Sequence, residues 1–247
     1  MSSDVSLKQV SIWLQIFSII ALALIPLIVY RTMTNPPGLV SQPQIVGLIF
    51  ITICVLGSIA GVRPSSFSRQ FPRILKKDEV RNSEGFDLVQ HKPILRGHHY
   101  SCDLFSDHVI LIGNNVFCAG CTGLTTGAVL ATIGSLAYFF FNISFSSGWV
   151  QFGIGFSCVF IGLVQHQFYR ILSIKTGFFR FVLNVIFVFG SFLVLVGANQ
   201  ITGNLTVDFY ILCVILLWIL NRIMMSKSEH ERICLQCDDE SCGHPLG

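Results

Sequence analysis

Two short segments combine cysteine and histidine at spacings that suit metal binding. The first is His99-x2-Cys102, and the second is Cys118-x2-Cys121, with fifteen residues between them. Ligand pairs two residues apart, joined by a short β-hairpin, are typical of zinc sites built from two knuckles. The sequence therefore predicts a tetrahedral site with one nitrogen and three sulfur ligands, which suits Zn²⁺.

Other side chains in the same region leave the ligand set open. His98 is an alternative to His99, and His108 could replace either of them as the nitrogen ligand. Asp103 and Asp107 could orient a ligating imidazole through a hydrogen bond. An iron–sulfur cluster is a less favoured interpretation, because the adjacent histidines indicate a mixed nitrogen and sulfur site.

A β-hairpin would bring the His99/Cys102 pair and the Cys118/Cys121 pair together. Asp107–Ile112 is rich in apolar and β-branched residues, as is typical of a strand, and Val116-Phe117 begins the predicted return strand. Gly113-Asn114-Asn115 between them supplies residues that tolerate the backbone of a tight turn. Because a hairpin joins its own two ends, the pair before it should meet the pair after it.

The C-terminal tail holds a second set of four nitrogen and sulfur donors, within eleven residues: Cys234, Cys237, Cys242 and His244. This set either closes a metal site of its own or lends ligands to the first one.

The amino-acid composition indicates that these sites belong to a membrane protein. Of the 247 residues, 52% are hydrophobic and 12% are charged, against about 25% charged in soluble domains. Six apolar runs are long enough to span a bilayer, and helices satisfy their backbone polar groups: 10–30, 45–62, 116–141, 149–165, 179–198 and 207–224. We therefore predict an all-α, polytopic membrane protein in contact with the lipid bilayer. The net charge of +3 gives no indication of nucleic-acid binding.

The distribution of Lys and Arg predicts the orientation. With both termini inside, fifteen of the sixteen lie on the inner side and only Arg31 lies outside. This predicts a multi-pass protein of the cell (inner or plasma) membrane with cytoplasmic Cys/His clusters, where a reducing medium favours metal binding over disulfides. Four regions follow: helices 1 and 2 (1–62), a cytosolic loop with the metal-knuckle hairpin (63–115), helices 3 to 6 (116–224) and a Cys/His tail (225–247).

Small residues indicate how the helices pack. In the third helix they recur every fourth position and form one smooth ridge, on which a second helix of this chain or a membrane-protein partner could approach closely: Ala119, Gly123, Gly127, Ala131 and Ser135. Gly57-x3-Gly61 repeats the pattern in the second helix. We expect no ionisable side chain inside the membrane, with Asp208 at an interface and only neutral polar groups such as Gln15, Gln151 and Asn184 in the interior.

The motif Cys118-Ala119-Gly120-Cys121-Thr122-Gly123, leading into a glycine-rich helix, resembles that of an uncharacterised family of prokaryotic integral-membrane proteins. That family carries Cys-Ala-x-Cys-Thr-Gly at the start of a membrane helix, with a Cys/His element and a short apolar hairpin upstream. The resemblance covers roughly residues 97–131 and implies a location and metal binding, not a reaction. His98-His99 stands here where the family tends to have an adjacent Cys-His pair.

Three functions fit these features. The leading hypothesis is a scaffold, accessory subunit or regulator with a structural zinc site. The second is a membrane thiol–disulfide oxidoreductase, because the dipole at a helix N-terminus favours the thiolates of a CxxC pair. The third is a metal-ion transporter or sensor. A closed site without an open coordination position argues against hydrolytic metal catalysis.

Overall fold

The computed structural model describes residues 2–34, 42–62, 95–96, 108–112, 115–143, 146–172 and 177–234. Long helices dominate this part of the chain: α1 (Ser2–Thr34), α2 (Pro43–Val62), α3 (Ala119–Ser135), α4 (Gly148–Leu172), α5 (Gly177–Thr202) and α6 (Leu205–Cys234). A π-helical turn, Leu136–Phe140, continues α3. Three short strands form one sheet in the order β1-β3-β2: β1 (Leu95–Arg96), β2 (Val109–Ile112) and β3 (Asn115–Cys118).

The predicted all-α class is confirmed, and the helices fit a membrane protein. Five of the described helices are long and apolar enough to cross a bilayer. The apolar stretch of α2, Pro43–Ile59, is shorter. The six crossings and their orientation stay predictions.

α5 lies at the centre of the bundle. Within its apolar stretch 61% of the residues are buried, against 33–39% in the other four spanning helices. Its buried face includes Phe187, Leu195 and Ala198, which belong to the main hydrophobic core. The neighbouring helices therefore expose most of their apolar surface and are suited to contact lipid.

The small-residue ridge of α3 packs on α5. All five of its residues are buried. A Cβ placed on Gly123 would lie 2.5 Å from the carbonyl oxygen of Phe181, and one on Gly127 would lie 2.9 Å from Cβ of Val188. The contacts advance along both helices together, from Gly123 beside Phe181 to Gly127 beside Val188, so α3 and α5 run in the same direction. The ridge predicted from the sequence is thus occupied by a helix of the same chain, not by a separate partner.

The second small-residue pattern does not pack within the chain as expected. A Cβ on Gly57 would meet no atom within 4 Å, so this glycine faces away from the described helices. Sequence spacing could not distinguish the two glycine patterns, because both show the same four-residue period. Among the described glycines of the two patterns, those of the α3 ridge have a facing helix at contact distance and Gly57 does not.

Sequentially adjacent helices alternate in direction. α4 crosses α5 with Gly148 beside Gly197 and Gly162 beside Phe187, which is an antiparallel arrangement. α2 likewise lies antiparallel to α3, and Gly47 near its start packs on Phe139 near the end of the α3 segment. This alternation is what successive membrane crossings require.

α1 and α6 also pack antiparallel, and polar contacts mark the register. Gln15 accepts a hydrogen bond from Asn221 Nδ2 at 2.7 Å and donates one from Nε2 to the Leu163 carbonyl at 2.6 Å. Further along, Trp218 Nε1 donates to the Ser18 carbonyl at 3.3 Å. These bonds join α1, α4 and α6 near the end of the bundle at which α3 begins.

Candidate functional site

The predicted hairpin is present, and it ends on the first cysteine of the CxxC pair. Val109 pairs with Cys118 and Ile112 pairs with Asn115 in an antiparallel ladder. The β-branched residues of β2 favour this extended backbone. The return strand reaches Cys118, so the helix begins at Ala119, three residues later than the start of the apolar run.

Cys118 occupies the junction between β3 and α3. Its backbone is extended (φ −67°, ψ 117°), and it is the N-cap residue of α3. Cys121 follows in the first helical turn, and its side chain contacts that of Cys118. Cys118 is buried and Cys121 is half-buried, with both sulfurs as thiols. The strand-to-helix junction thus brings two sulfur atoms together, and we call this end of the bundle the thiol end.

The sheet places two further chain segments beside Cys118. β1 runs parallel to β3, with Arg96 opposite Phe117, while β2 begins with Val109 opposite Cys118. Because β3 is the central strand, the end of β1 and the start of β2 flank the Cys118 end of β3 on its two sides. Neighbouring strands are about 4.8 Å apart. The chain between Arg96 and Val109 therefore both leaves and returns close to the thiol pair.

β2 is also fixed to the helical bundle. Gly177, the first residue of α5, lies against the carbonyl group of Val109, and a side chain at this position would collide with that carbonyl. The glycine allows the backbone of the hairpin to approach the start of α5 closely. The hairpin therefore packs on the central helix as well as leading into α3.

A polar side chain on α5 lies next to the thiol pair. A Cβ placed on Gly120 would be 3.8 Å from Asn184 Nδ2 and 3.9 Å from Cys118 Sγ. Asn184 Oδ1 accepts hydrogen bonds from Nε of Arg222, at 3.0 Å, and from its Nη2. Asn184 Nδ2 donates to the Arg180 carbonyl at 2.8 Å. Asn184 and the guanidinium group of Arg222 therefore lie at the same end of the bundle as the cysteines.

Arg222 was not placed at this site by the sequence analysis. It sits on α6, half-buried, with its guanidinium carbon 5.7 Å from the centre of the Phe187 ring. Both contacts stabilise a positive charge inside the bundle. Its position near the end of the apolar run 207–224 was the signal in the sequence.

The opposite end of the bundle holds a carboxylate, Asp208, which lies near its helix start as predicted but is buried inside the protein. Asp208 is 0% exposed. Asn199 Nδ2 donates to Asp208 Oδ2 at 2.8 Å, and Asn199 Oδ1 accepts from the Tyr138 hydroxyl at 2.9 Å. Asp208 lies in the first turn of α6, where the helix dipole stabilises an anion. We call this end, defined by these three residues, the Asp208 end.

The remaining predicted ligands are distributed as follows. Six lie outside the described residues: His98, His99, Cys102, Cys237, Cys242 and His244. Cys234 is the last residue of α6, and its side chain lies outside the described part as well. His108 directly precedes β2. Within the described ranges, no three His, Cys, Asp or Glu side chains form a metal-binding group, so His108 does not complete the Cys118 and Cys121 pair there.

No family model matches the chain, and no match to a curated protein or to a solved structure was found.

Proposed function

We propose that this chain is a multi-pass membrane protein in which Cys118 and Cys121 form half of a structural zinc site. One observation carries the proposal: two contacting thiols lie at a strand-to-helix junction, and the strands on both sides of β3 end or begin beside them. With Zn–S bonds of about 2.3 Å, two sulfurs of a tetrahedral site lie about 3.8 Å apart. Thiols in contact therefore need little movement to bind zinc.

The other ligands of the proposed site come from the segment between β1 and β2. His99 and Cys102 fall in this segment, with His98 as the alternative nitrogen ligand. Arg96, which pairs with Phe117, is only three residues before His99, a distance of at most about 10 Å along the chain. The tail donors of 234–244 belong to a second site or supplement this one, since α6 also ends at the thiol end.

The proposed role of the metal is to fix the entrance of α3. The soluble part of the chain is too small to build its own hydrophobic core, so a metal is a suitable cross-link. Zinc at Cys118 and Cys121 would join the hairpin to α3, whose ridge packs on the central helix α5. We propose that the protein acts as a scaffold, accessory subunit or regulator in the cell membrane, with this site on the cytoplasmic side.

Metal analysis of protein purified in detergent without chelator tests the proposal. We expect about one zinc per chain from this site, and a second if the tail closes its own. Cys118→Ser and Cys121→Ser should each lose the first zinc. Cys213→Ser is the matched control, because Cys213 is an exposed residue of α6 far from other cysteines in sequence. Folded Cys121→Ser protein with the zinc content of the parent would contradict the proposal.

A thiol–disulfide oxidoreductase is the second candidate function. The observation that favours it is the contact between Cys118 and Cys121 at the start of α3, because a helix N-terminus favours thiolates. For this function the purified protein would be metal-free. Cys118 and Cys121 would then cycle reversibly between dithiol and disulfide in a redox buffer, which mass spectrometry of alkylated protein measures. Retention of zinc together with thiols that resist oxidation would rule it out.

A further inference from the structure

The start of α5 contacts both chain segments that carry the thiol pair. At Gly177, its first residue, a placed Cβ would lie 2.9 Å from the carbonyl carbon of Val109 in β2. About one helical turn later the carbonyl group of Phe181 faces α3, where a Cβ on Gly123 would lie 2.5 Å from its oxygen. The two positions on α5 are four residues apart, about 6 Å along the helix. A short stretch of one helix therefore touches the hairpin and the first turns of α3 together.

These two contacts lie on either side of the thiol pair. Val109 pairs with Cys118 in the antiparallel ladder, so the contact between β2 and the start of α5 fixes the position of the first thiol. Gly123 follows Cys121 by two residues in α3, so its contact with α5 fixes the position of the second thiol. The relative position of the two sulfurs thus depends on α5, although α5 contains no cysteine.

Gly177 is the residue at which this dependence is sharpest. Carbon atoms in ordinary contact are about 3.5–4.0 Å apart. A methyl group 2.9 Å from the Val109 carbonyl carbon therefore requires β2 or α5 to move by at least about 0.5 Å. A binding site keeps its geometry only while its ligands stay within about 0.5 Å of their positions. A side chain at position 177 is therefore enough to disturb the thiol pair.

We propose, on the basis of the zinc site proposed above, that Gly177 positions the thiol pair and that zinc binding is coupled to the seating of the hairpin on α5. Such coupling is reciprocal. A hairpin that is held against α5 binds zinc more tightly, and bound zinc holds the hairpin more firmly against α5. Because α5 contacts α3, α4 and α6, occupancy of the site biases the packing of the central helix of the bundle. A regulator would thereby have a direct route from the metal to the membrane helices.

The zinc affinity of the full-length protein in lipid nanodiscs, measured by competition with a chromogenic chelator, tests the coupling. The zinc ion to be compared is the one that Cys121→Ser removes. Gly177→Ala should weaken its binding about 5- to 150-fold, the usual range for coupling between sites. Gly197→Ala is the matched control, because a Cβ there would lie 2.5 Å from the backbone nitrogen of Phe152. It overpacks the same helix far from the thiol pair and should leave the zinc affinity unchanged.

Alkylation of the metal-free protein separates the positioning by α5 from the zinc site itself. After chelation, N-ethylmaleimide should modify Cys118 slowly in the parent protein, because this side chain is buried. Gly177→Ala should raise the rate several-fold by loosening β2, whereas Gly197→Ala should not, and mass spectrometry of the peptides measures both. Parent protein that binds no zinc would contradict the proposed function. Faster alkylation in Gly177→Ala would then still support the positioning of the thiols by α5.

Equal zinc affinity, or equal alkylation rates, in Gly177→Ala and the parent would overturn the proposal. An equal loss of zinc affinity in Gly197→Ala would also overturn it, because the cause would then be the general packing of the bundle. If Gly177→Ala does not fold, hydrogen exchange of the parent protein takes its place. Zinc should slow the exchange of the amides of residues 181–184 in α5 as well as those of β2 and β3. Protection limited to the hairpin and α3 would contradict the coupling.

Discussion

Asn184 is the residue that connects the thiol end to the rest of the bundle. It accepts from Arg222 on α6, donates to its own helix, and lies beside Gly120 at the start of α3. A neutral amide thus satisfies a guanidinium that is half-buried among apolar helices. Hydrogen bonds to charged groups are stronger than those between neutral groups, so this contact should matter for stability.

The first prediction concerns this pair. Asn184→Leu removes the acceptor of the Arg222 guanidinium, and we expect the free energy of unfolding to fall by about 1–3 kcal/mol. Adding Arg222→Leu to the same variant should recover part of the loss, because the half-buried guanidinium that lost its acceptor is then absent. Unfolding in mixed micelles measures both. Ser157→Ala, an exposed hydroxyl that bonds only within its own helix, is the control. Equal stability of the Asn184→Leu variant and the control would contradict the assigned contact.

Residue types and spacing predicted the proximity of Cys118 and Cys121, because positions i and i+3 at a helix N-terminus share one face. The same reasoning could not predict Asn184 with Arg222, which are 38 residues apart on different helices. It also did not predict that Asp208 is buried inside the protein. A carboxylate near the end of an apolar run is consistent with an interface, and only the partners Asn199 and Tyr138 show that it is buried.

At the scale of elements, the α3–α5 contact depends on residues without bulky side chains. Gly123 and Gly127 allow the backbone of α3 to approach Phe181 and Val185 of α5 closely. In lipid, van der Waals contact at close approach is the main attraction between helices. The lipid tails are as apolar as the helix surfaces, so they supply no hydrophobic driving force for association. The start of α3 is therefore held by α5 on one side and by the hairpin on the other.

The second prediction compares two glycines. Gly123→Ala places a methyl group 2.5 Å from the Phe181 carbonyl oxygen and 2.9 Å from Asn184 Cβ. Overpacking of this kind should lower the free energy of unfolding by about 1–3 kcal/mol. Gly57→Ala meets no atom within 4 Å, and its better helix propensity should leave stability unchanged or raise it by up to about 1 kcal/mol. Thermal unfolding in detergent provides the comparison, and similar losses in both variants would show that the ridge is not a contact.

The hairpin and the long apolar helices of the described ranges were predictable because hydrophobic length and β-branched composition are local properties of the sequence. The boundary between β3 and α3 at Cys118 was less predictable, because Val116 and Phe117 suit both a strand and an apolar helix. The sheet order was not predictable at all. β1 pairs in parallel with β3 through two residues, and so short a strand has no periodic signal.

At the scale of the whole molecule, the polar groups gather near the two ends of an apolar bundle. The cysteines, Asn184, Arg222 and the Gln15–Asn221 bond lie toward one end, while Tyr138, Asn199 and Asp208 lie at the other. The alternating helix directions agree with this division. Together with the excess of Lys and Arg on one side, it supports the proposal that the thiol end faces the cytoplasm.

The third prediction tests that orientation. Ser147 is exposed and precedes α4 near the Asp208 end, whereas Gln9 is exposed near the start of α1 at the thiol end. In intact cells an impermeant maleimide should label Ser147→Cys but neither Gln9→Cys nor the parent protein. Gln9→Cys should become labelled after permeabilisation. Labelling of Gln9→Cys in intact cells would invert the topology and place the thiol pair outside.

The proposed zinc site would connect residues and elements, because it would hold two thiols, the hairpin and the start of α3, the helix that packs on the central helix α5. X-ray absorption spectroscopy at the zinc edge, on protein purified without chelator, tests it most directly. We predict bound zinc with sulfur neighbours at about 2.3 Å, three per metal, and one nitrogen at about 2.0–2.1 Å. Cys121→Ser protein should lose the zinc of this site. Metal-free protein with a Cys118–Cys121 disulfide, or zinc surrounded only by nitrogen and oxygen, would contradict the account.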